Sequence, residues 1–231
     1  MHLATLRPSQ VFLLAGLLAA GLVADVVSGV AGQMAIGAAF YAALFLLCRR
    51  RECRERRALI ACLVIATGGE LFLSQAWGVY DYRLGNVPMF VPPGHVMMYL
   101  LAAELARRMS EGVAKATVAA AGVYAVAGAA TGFDGFAVLL FLGLAIAAWA
   151  MPRDRRLLAS TMALSLALEL YGTWLGVWTW RPNVPYLGLT TTNPPALSGA
   201  LYVVRDAGVA LASAWFARGA AEVAAPSAAR S

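Results

Sequence analysis

Four acidic residues stand inside apolar stretches of this chain, and they come as two matched sets. Glu70 and Glu169 follow similar apolar runs, while Glu104 and Asp206 each lie 11 residues after a Pro-Pro pair, Pro92-Pro93 and Pro194-Pro195. An ionisable side chain in a bilayer costs at least ~2.5 kcal/mol, so such groups face a protein interior or a wet cavity. Carboxyl groups held there can exchange protons, which suits acid/base catalysis or the binding of a proton or cation. Thr161, Ser165, Glu169 and Thr173 recur every fourth residue, and Thr67, Glu70, Ser74 and Trp77 sit at similar spacing. Each set makes one polar stripe on a helix, turned inward. Asp206 follows Arg205, with Tyr202 a turn earlier. Neighbouring helical side chains point about 100° apart, so Arg205 is expected to reach Glu169 or Glu70 on another helix rather than Asp206. One acid is then held ionised while another keeps its proton, which makes an acid and a base from similar groups. Glu70, Glu169 and Asp206 are the expected catalytic carboxylates, with Arg205 and Tyr202 supporting them. Glu104 precedes Arg107 and Arg108 and reads as a helix-end pair.

His95 follows Pro92-Pro93 at the start of an apolar run, and its counterpart in the second set is Leu197. It is either a hydrogen-bonded helix start or a proton shuttle, since histidine titrates near neutral pH. With 2 histidines in the chain a multi-histidine metal site is excluded, and neither a metal nor a soluble cofactor is expected. Trp77, Tyr80, Tyr82, Trp178, Trp180 and Tyr186 lie in two loops, at the level where aromatic residues usually form an interfacial belt. The same loops repeat Arg83 with Arg181 and Asn86 with Asn183, which anchoring does not require. Two such loops could re-enter and cap an interior cavity. Aromatic walls over buried acids suit an apolar substrate that acquires positive charge, because ring faces stabilise cations by ~0.5 to 2 kcal/mol each.

The elements that position these residues are legible from composition. The chain of 231 residues is 61% hydrophobic and 13% charged, far more apolar than a soluble domain. Eight segments of near-spanning length are marked off at about 9–28, 33–48, 58–76, 93–110, 113–130, 135–151, 157–176 and 196–217. The fold expected is an all-α, polytopic membrane bundle of about eight transmembrane helices. The formal charge of +6 comes largely from arginines at span ends, Arg49–Arg57, Arg107, Arg108 and Arg153–Arg156, so topology explains it and a nucleic-acid partner is excluded. The positive-inside rule then puts both termini in the cytoplasm of an inner (plasma) membrane and the loops 77–92 and 177–195 outside. Cys48, Cys53 and Cys62 read as free thiols on the reducing side. The tail from Ala224 onward is small and polar enough to be disordered.

Between the paired acids runs an internal repeat. Glu70-Leu71-Phe72, Gly78-Val79-Tyr80-Asp81-Tyr82-Arg83 and Asn86-Val87-Pro88 correspond to Glu169-Leu170-Tyr171, Gly176-Val177-Trp178-Thr179-Trp180-Arg181 and Asn183-Val184-Pro185, with matching residues 97 to 102 positions apart. An ordered series of shared features at nearly one offset marks duplication. The units are 1–112 and 113–231, four spans each, so both have the same orientation and meet about an axis along the membrane normal.

An intramembrane Glu followed by Gly-x-Tyr-x-Tyr and Val-Pro resembles integral membrane proteins of carotenoid biosynthesis, the hydratase and non-flavin lycopene cyclase group. The residues concerned are Glu70, Gly78-Val79-Tyr80-Asp81-Tyr82 and Val87-Pro88, with a second copy from Glu169 to Pro185. The likeness covers about a fifth of the chain; the count of eight spans and the segments Asn193-Pro194-Pro195 and Pro92-Pro93-Gly94-His95 depart from it. It implies acid-catalysed addition or cyclisation on a polyene, with the Glu residues as proton donors. Three functions are carried forward. The first is a membrane enzyme that hydrates, cyclises or isomerises a double bond of a lipid or isoprenoid, with membrane lipid and an apolar small molecule as partners. The others are a small parallel-repeat carrier for a proton-coupled or cationic solute and a non-catalytic scaffold or lipid-binding subunit. The sequence leaves the oligomeric state open.

Overall fold

A computed structural model describes residues 3–224. His2 and the expected disordered tail, from residue 225 on, lie outside the described residues. Eight α-helices follow in order among them: α1 (Pro8–Val26), α2 (Val30–Arg49), α3 (Cys53–Glu70), α4 (Val91–Ala106), α5 (Glu111–Thr131), α6 (Phe136–Ala150), α7 (Arg155–Leu175) and α8 (Gly199–Ala224). Their ends follow local chemistry. Pro8 and Pro92 occupy first-turn positions, where a missing N–H costs nothing. The Ser110 hydroxyl accepts from the Val113 N–H at 3.2 Å and caps α5. Gly132 and Gly176 end α5 and α7 at φ of 71° and 75°, a region that glycine enters without a Cβ penalty.

The centre is four helices, with α3 packed on α8, α4 on α7, and contacts from α3 to α4 and α7 to α8. The pair α1–α2 leans on α4, and the pair α5–α6 on α7 and α8. Outward-facing residues are apolar: Phe12, Phe45, Val64, Val126, Ile146 and Trp149 are all exposed. A bundle with such an exterior needs an apolar surrounding.

Five helices are long and apolar enough to cross a membrane, namely α1, α2, α3 with its continuation to Trp77, α5, and α8 through Arg218. Five of the eight expected segments thus have the length and apolar composition to span by themselves. α4 and α6 have 16 and 15 residues, or about 24 Å against a ~30 Å hydrocarbon core. α4 is buried along most of its length, so protein rather than lipid surrounds it. α7 has the length but carries its polar stripe and two arginines at its start.

The loops also depart from an all-α reading. β1 (Tyr80–Tyr82) and β2 (Trp178–Trp180) pair antiparallel, with Tyr80 opposite Trp180, Asp81 opposite Thr179 and Tyr82 opposite Trp178. Alternate strand residues face opposite sides, so the four rings turn into the bundle while Asp81 and Thr179 face outward. The ribbon closes the end of the bundle opposite the arginine clusters.

Candidate functional site

Glu70 ends α3, and the chain then runs through one π-helical turn, Leu71–Trp77. Such wide turns recur at functional sites because they re-aim neighbouring side chains. The Ser74 hydroxyl donates to the Glu70 carbonyl at 2.8 Å, and Gly78 at φ 72° turns the chain into β1. Tyr80 and Tyr82, two apart on one strand face, then both donate to Glu70 Oε2, at 2.6 and 2.5 Å. His95 Nε2 lies 2.7 Å from Oε1. Its place one turn into α4 follows from the Pro92-Pro93 helix start.

Glu169 has the matching place on α7 with a different cradle. Trp178 Nε1 and Trp180 Nε1 donate to Oε2 at 2.8 and 3.0 Å, and the Tyr202 hydroxyl of α8 donates to Oε1 at 3.0 Å. Gly172 makes room for the first indole. A Cβ there would lie 2.1 Å from Trp178 Cη2, well inside any contact distance. The two cradles differ in proton chemistry, because a phenol both gives and accepts hydrogen bonds whereas an indole N–H only donates. Glu70 thus has two phenols on one oxygen, whereas Glu169 has two donor-only indoles on one oxygen and a single phenol, Tyr202, on the other.

His95 links the two acids to α8. Its ring stacks on Tyr202 with centroids 4.7 Å apart and planes within 8°. Arg205 Nη1 lies 2.9 Å from His95 Nδ1. A guanidinium has no acceptor, so Nδ1 must present its lone pair, and the ring proton sits on Nε2 and donates to Glu70. The tautomer is assigned from this pattern of partners. Arg205 is itself held by Asp206 Oδ1, from Nη2 at 2.5 Å and Nε at 2.9 Å, while Asp206 Oδ2 accepts from the Thr161 hydroxyl at 2.6 Å.

This overturns the expected partner of Arg205. The long stem folds back along α8 so that the fork spans the angle to its own neighbour, and Arg205 touches Glu70 only through His95. Asp206 accordingly stands behind the site, paired and buried, instead of joining Glu70 and Glu169. Glu104 lies at the opposite end, accepting from the Leu6 N–H at 3.2 Å and pairing with Arg107 at 3.4 Å.

Two cavities flank this layer, and Glu70, Tyr80, His95, Glu169 and Tyr202 line both. The larger, about 320 Å³, has walls from Ile65, Phe72, Trp77, Trp180, Leu201 and Val204, with Arg205 at its edge. Phe72 and Val204 are half exposed on the apolar flank of α3 and α8, so this cavity opens sideways. The smaller, about 40 Å³, is closed by Leu18, Leu22, Phe40 and Phe90, with Tyr82 and Trp178 above.

Four expected site residues lie elsewhere. Arg83 ties its loop to the α1–α2 turn: Nε is 3.3 Å from Asp25 Oδ2, and Nη2 donates to the Asp25 carbonyl and, at 2.7 Å, to the Ser28 carbonyl. Asn86 Nδ2 donates to Gln33 Oε1 at 3.1 Å, and Gln33 Nε2 to Asp25 Oδ1 at 2.6 Å. The buried Asp25 and Gln33 were missed in the sequence, although a lone acid at the end of an apolar run is a signal of pairing. Arg181 makes a two-point pair with Asp81, at 2.8 and 2.9 Å on the exposed side of the ribbon, which holds the Asp81 carboxyl below the usual carboxylate range. Asn183 is exposed, and its backbone bridges to Thr190. Among the described residues no group of three or more His, Cys, Asp or Glu could hold a metal ion. Comparison with protein-family models, with curated proteins and with solved structures finds no match.

Proposed function

We propose that this chain is an integral membrane enzyme that moves a proton on and off a double bond of an apolar lipid, of the isoprenoid or polyene class. The observation that carries this reading is the cavity of about 320 Å³ that opens sideways and holds two carboxyl groups with different surroundings. A substrate dissolved in the bilayer enters between α3 and α8 and lays a double bond beside Glu70. Glu70, with a proton supplied through Tyr80 or Tyr82 and with His95 holding its other oxygen, adds that proton to one alkene carbon. The carbon next to it becomes cationic, and the rings of Trp77, Tyr80, Trp180 and Tyr202 face the charge. Glu169 supplies a counter-charge and takes a proton from a neighbouring carbon, which completes an isomerisation or, after ring closure, a cyclisation. Capture of the cation by water, with loss of the water proton to Glu169, gives hydration instead. Each outcome is redox-neutral and needs no cofactor.

In this reading the chain is two parallel four-helix units, 1–112 and 113–231, in a plasma membrane, with both termini cytoplasmic and the ribbon outside. The antiparallel pairing of β1 with β2 and the packing of α3 on α8 and α4 on α7 support that arrangement. A proton-coupled carrier would use the same acids, but it needs a path to each aqueous face in turn, and the ribbon and the sideways opening favour the enzyme. Lipids and pigments extracted from cells with and without the protein test the proposal, with E70Q and E169Q alongside. A lipid product that vanishes in both variants is expected. Unchanged lipids, together with solute flux into proteoliposomes, would establish the carrier; neither effect would leave a scaffold.

A further inference from the structure

Two grooves on the flanks of the bundle share one chemistry and no residues. One lies between α5 and α6 and encloses about 980 Å³, with Gly122 and Phe141 at its floor, Val126 beside them, Trp149 at the rim, and Lys115 and Arg155 in its lining. The other lies between α1 and α2, about 780 Å³, with Leu13, Leu46 and Leu47 in its walls and Arg7, Arg50 and Arg51 in its lining. In each case the cations belong to the helix ends at the arginine-rich end of the bundle. Gly122 sets the depth of the first groove, since a Cβ there would meet Phe141 Cζ at 2.9 Å and push the ring outward.

Arg51 is held by Glu55 at 3.6 Å and by the Ala4 carbonyl, and the other cations are not used up by the protein. Lys115, Arg7 and Arg50 are exposed and have no carboxylate partner among the described residues. Arg155 shares Glu111 with Arg156, at 3.9 and 3.5 Å, which leaves that end of the groove positive. An apolar trough with a cationic head is complementary to a molecule with an acyl chain and an anionic phosphate. A soluble phosphate would leave the trough empty, and a zwitterionic lipid would bring its own ammonium toward the same cations. That each half carries such a groove between its first two helices argues that the arrangement is built in rather than incidental.

We propose that these two grooves are binding sites for anionic glycerophospholipid, one molecule in each, taken from the leaflet at the arginine-rich end. The sites are separate from the acid-lined cavity and do not depend on its chemistry. Native mass spectrometry of the full chain in detergent, titrated with phosphatidylglycerol or with phosphatidylcholine of the same acyl chains, reads them directly. Two phosphatidylglycerols should bind saturably, and phosphatidylcholine at least tenfold more weakly. With about fivefold per cation, K115Q/R155Q and R7Q/R50Q should each weaken one site about thirtyfold and leave the other intact, and combining them should remove both. K115R and R50K, which keep the charge, should bind as the unaltered chain does and so separate charge from folding. Equal binding of the two lipids, binding that does not saturate at two, or two full-affinity sites in the glutamine variants would overturn the proposal.

Discussion

Replacing Glu70 by Gln tests the proton chemistry with the least change of shape. Glu70 accepts three bonds, two phenols on Oε2 and His95 on Oε1. A glutamine has one acceptor oxygen and one NH2, and Arg205 decides how it must lie. Because Arg205 Nη1 faces His95 Nδ1, the imidazole cannot move its proton there, and Nε2 remains a donor. The amide oxygen must therefore face His95, with the NH2 toward Tyr80 and Tyr82, whose oxygens can turn to accept. All three contacts survive as neutral bonds. A bond to a charged group is worth ~1.5–3 kcal/mol against ~0.5–1.5 for a neutral one, a loss of about 3–4.5 kcal/mol across the three; the neutral amide removes the desolvation cost of a buried carboxylate, which offsets part of it and leaves roughly 1–3 kcal/mol of stability. Turnover should fall much further, by 10²- to 10⁴-fold, about 3–5 kcal/mol in the barrier, as expected when a general acid is removed. Product formed per mole of folded protein in membranes gives the first number, and thermal melting followed by tryptophan fluorescence gives the second. ¹⁵N spectra of labelled histidine check the premise, with His95 protonated at Nε2 and bare at Nδ1. Turnover of E70Q equal to the unaltered protein, or a proton found on His95 Nδ1, would refute the reasoning.

Gly172→Ala should displace Trp178, because its Cβ would fall 2.1 Å from the ring; Glu169 then loses an indole donor, and both melting temperature and turnover drop, which thermal and activity assays read together. Arg83→Ala leaves Asp25 buried with Gln33 as its remaining side-chain partner and should cost about 3 kcal/mol, with faster proteolysis of loop 77–92; cleavage at the unaltered rate sinks the tether assignment. The Asp81 carboxyl is held below its ordinary range by Arg181, so its contribution is full above the unfolded value of about 3.9 and is lost as pH falls through the lower folded value. The pair is exposed and worth a few tenths of a kcal/mol at most, so Arg181→Gln should differ slightly from the unaltered chain at pH 6 and not at all at pH 2; an equal difference at both would contradict the pairing. Reporter fusions at Asp81 and Pro185 should report the outer side and one at Glu52 the cytoplasm.

Helices were legible because apolar runs and their breaks follow from the bilayer alone, and every expected segment has a helix near its bounds. Spanning capacity was less legible, since a run such as Val91–Ala106 looks the same whether lipid or protein surrounds it; only packing shows that α4 is an inner helix. The ribbon escaped notice because three residues are too few for a period to declare itself, although Tyr-x-Tyr and Trp-x-Trp place two large rings on one strand face wherever a strand forms. Arg205 misled because a helical wheel gives the direction of a Cβ, and an arginine head lies several bonds beyond it. Arg83 and Asn86 were chosen for recurring in both loops, yet only this copy meets Asp25 and Gln33; recurrence in sequence does not fix a role, and the partner does.

What makes the two acids unlike each other lies where the repeat breaks. Glu70 and Glu169 are equivalent by position, and helices α3 and α7 would hold them alike. Their surroundings differ at five paired positions: Tyr80 and Tyr82 against Trp178 and Trp180, His95 against Leu197, Tyr202 against Leu100, and Arg205 against Ala103. The phenols and the imidazole fall to Glu70, and the indoles with Tyr202 fall to Glu169. Arg205 orients the imidazole that only the first half possesses. Two identical carboxyl sites would share a proton with no fixed direction between them, and unlike surroundings separate an acid from a base. In the proposed reading the residues that break the symmetry are the ones that give proton transfer its direction, and restoring it, with Tyr80 and Tyr82 both changed to Trp or His95 to Leu, should remove that direction while leaving both acids in place.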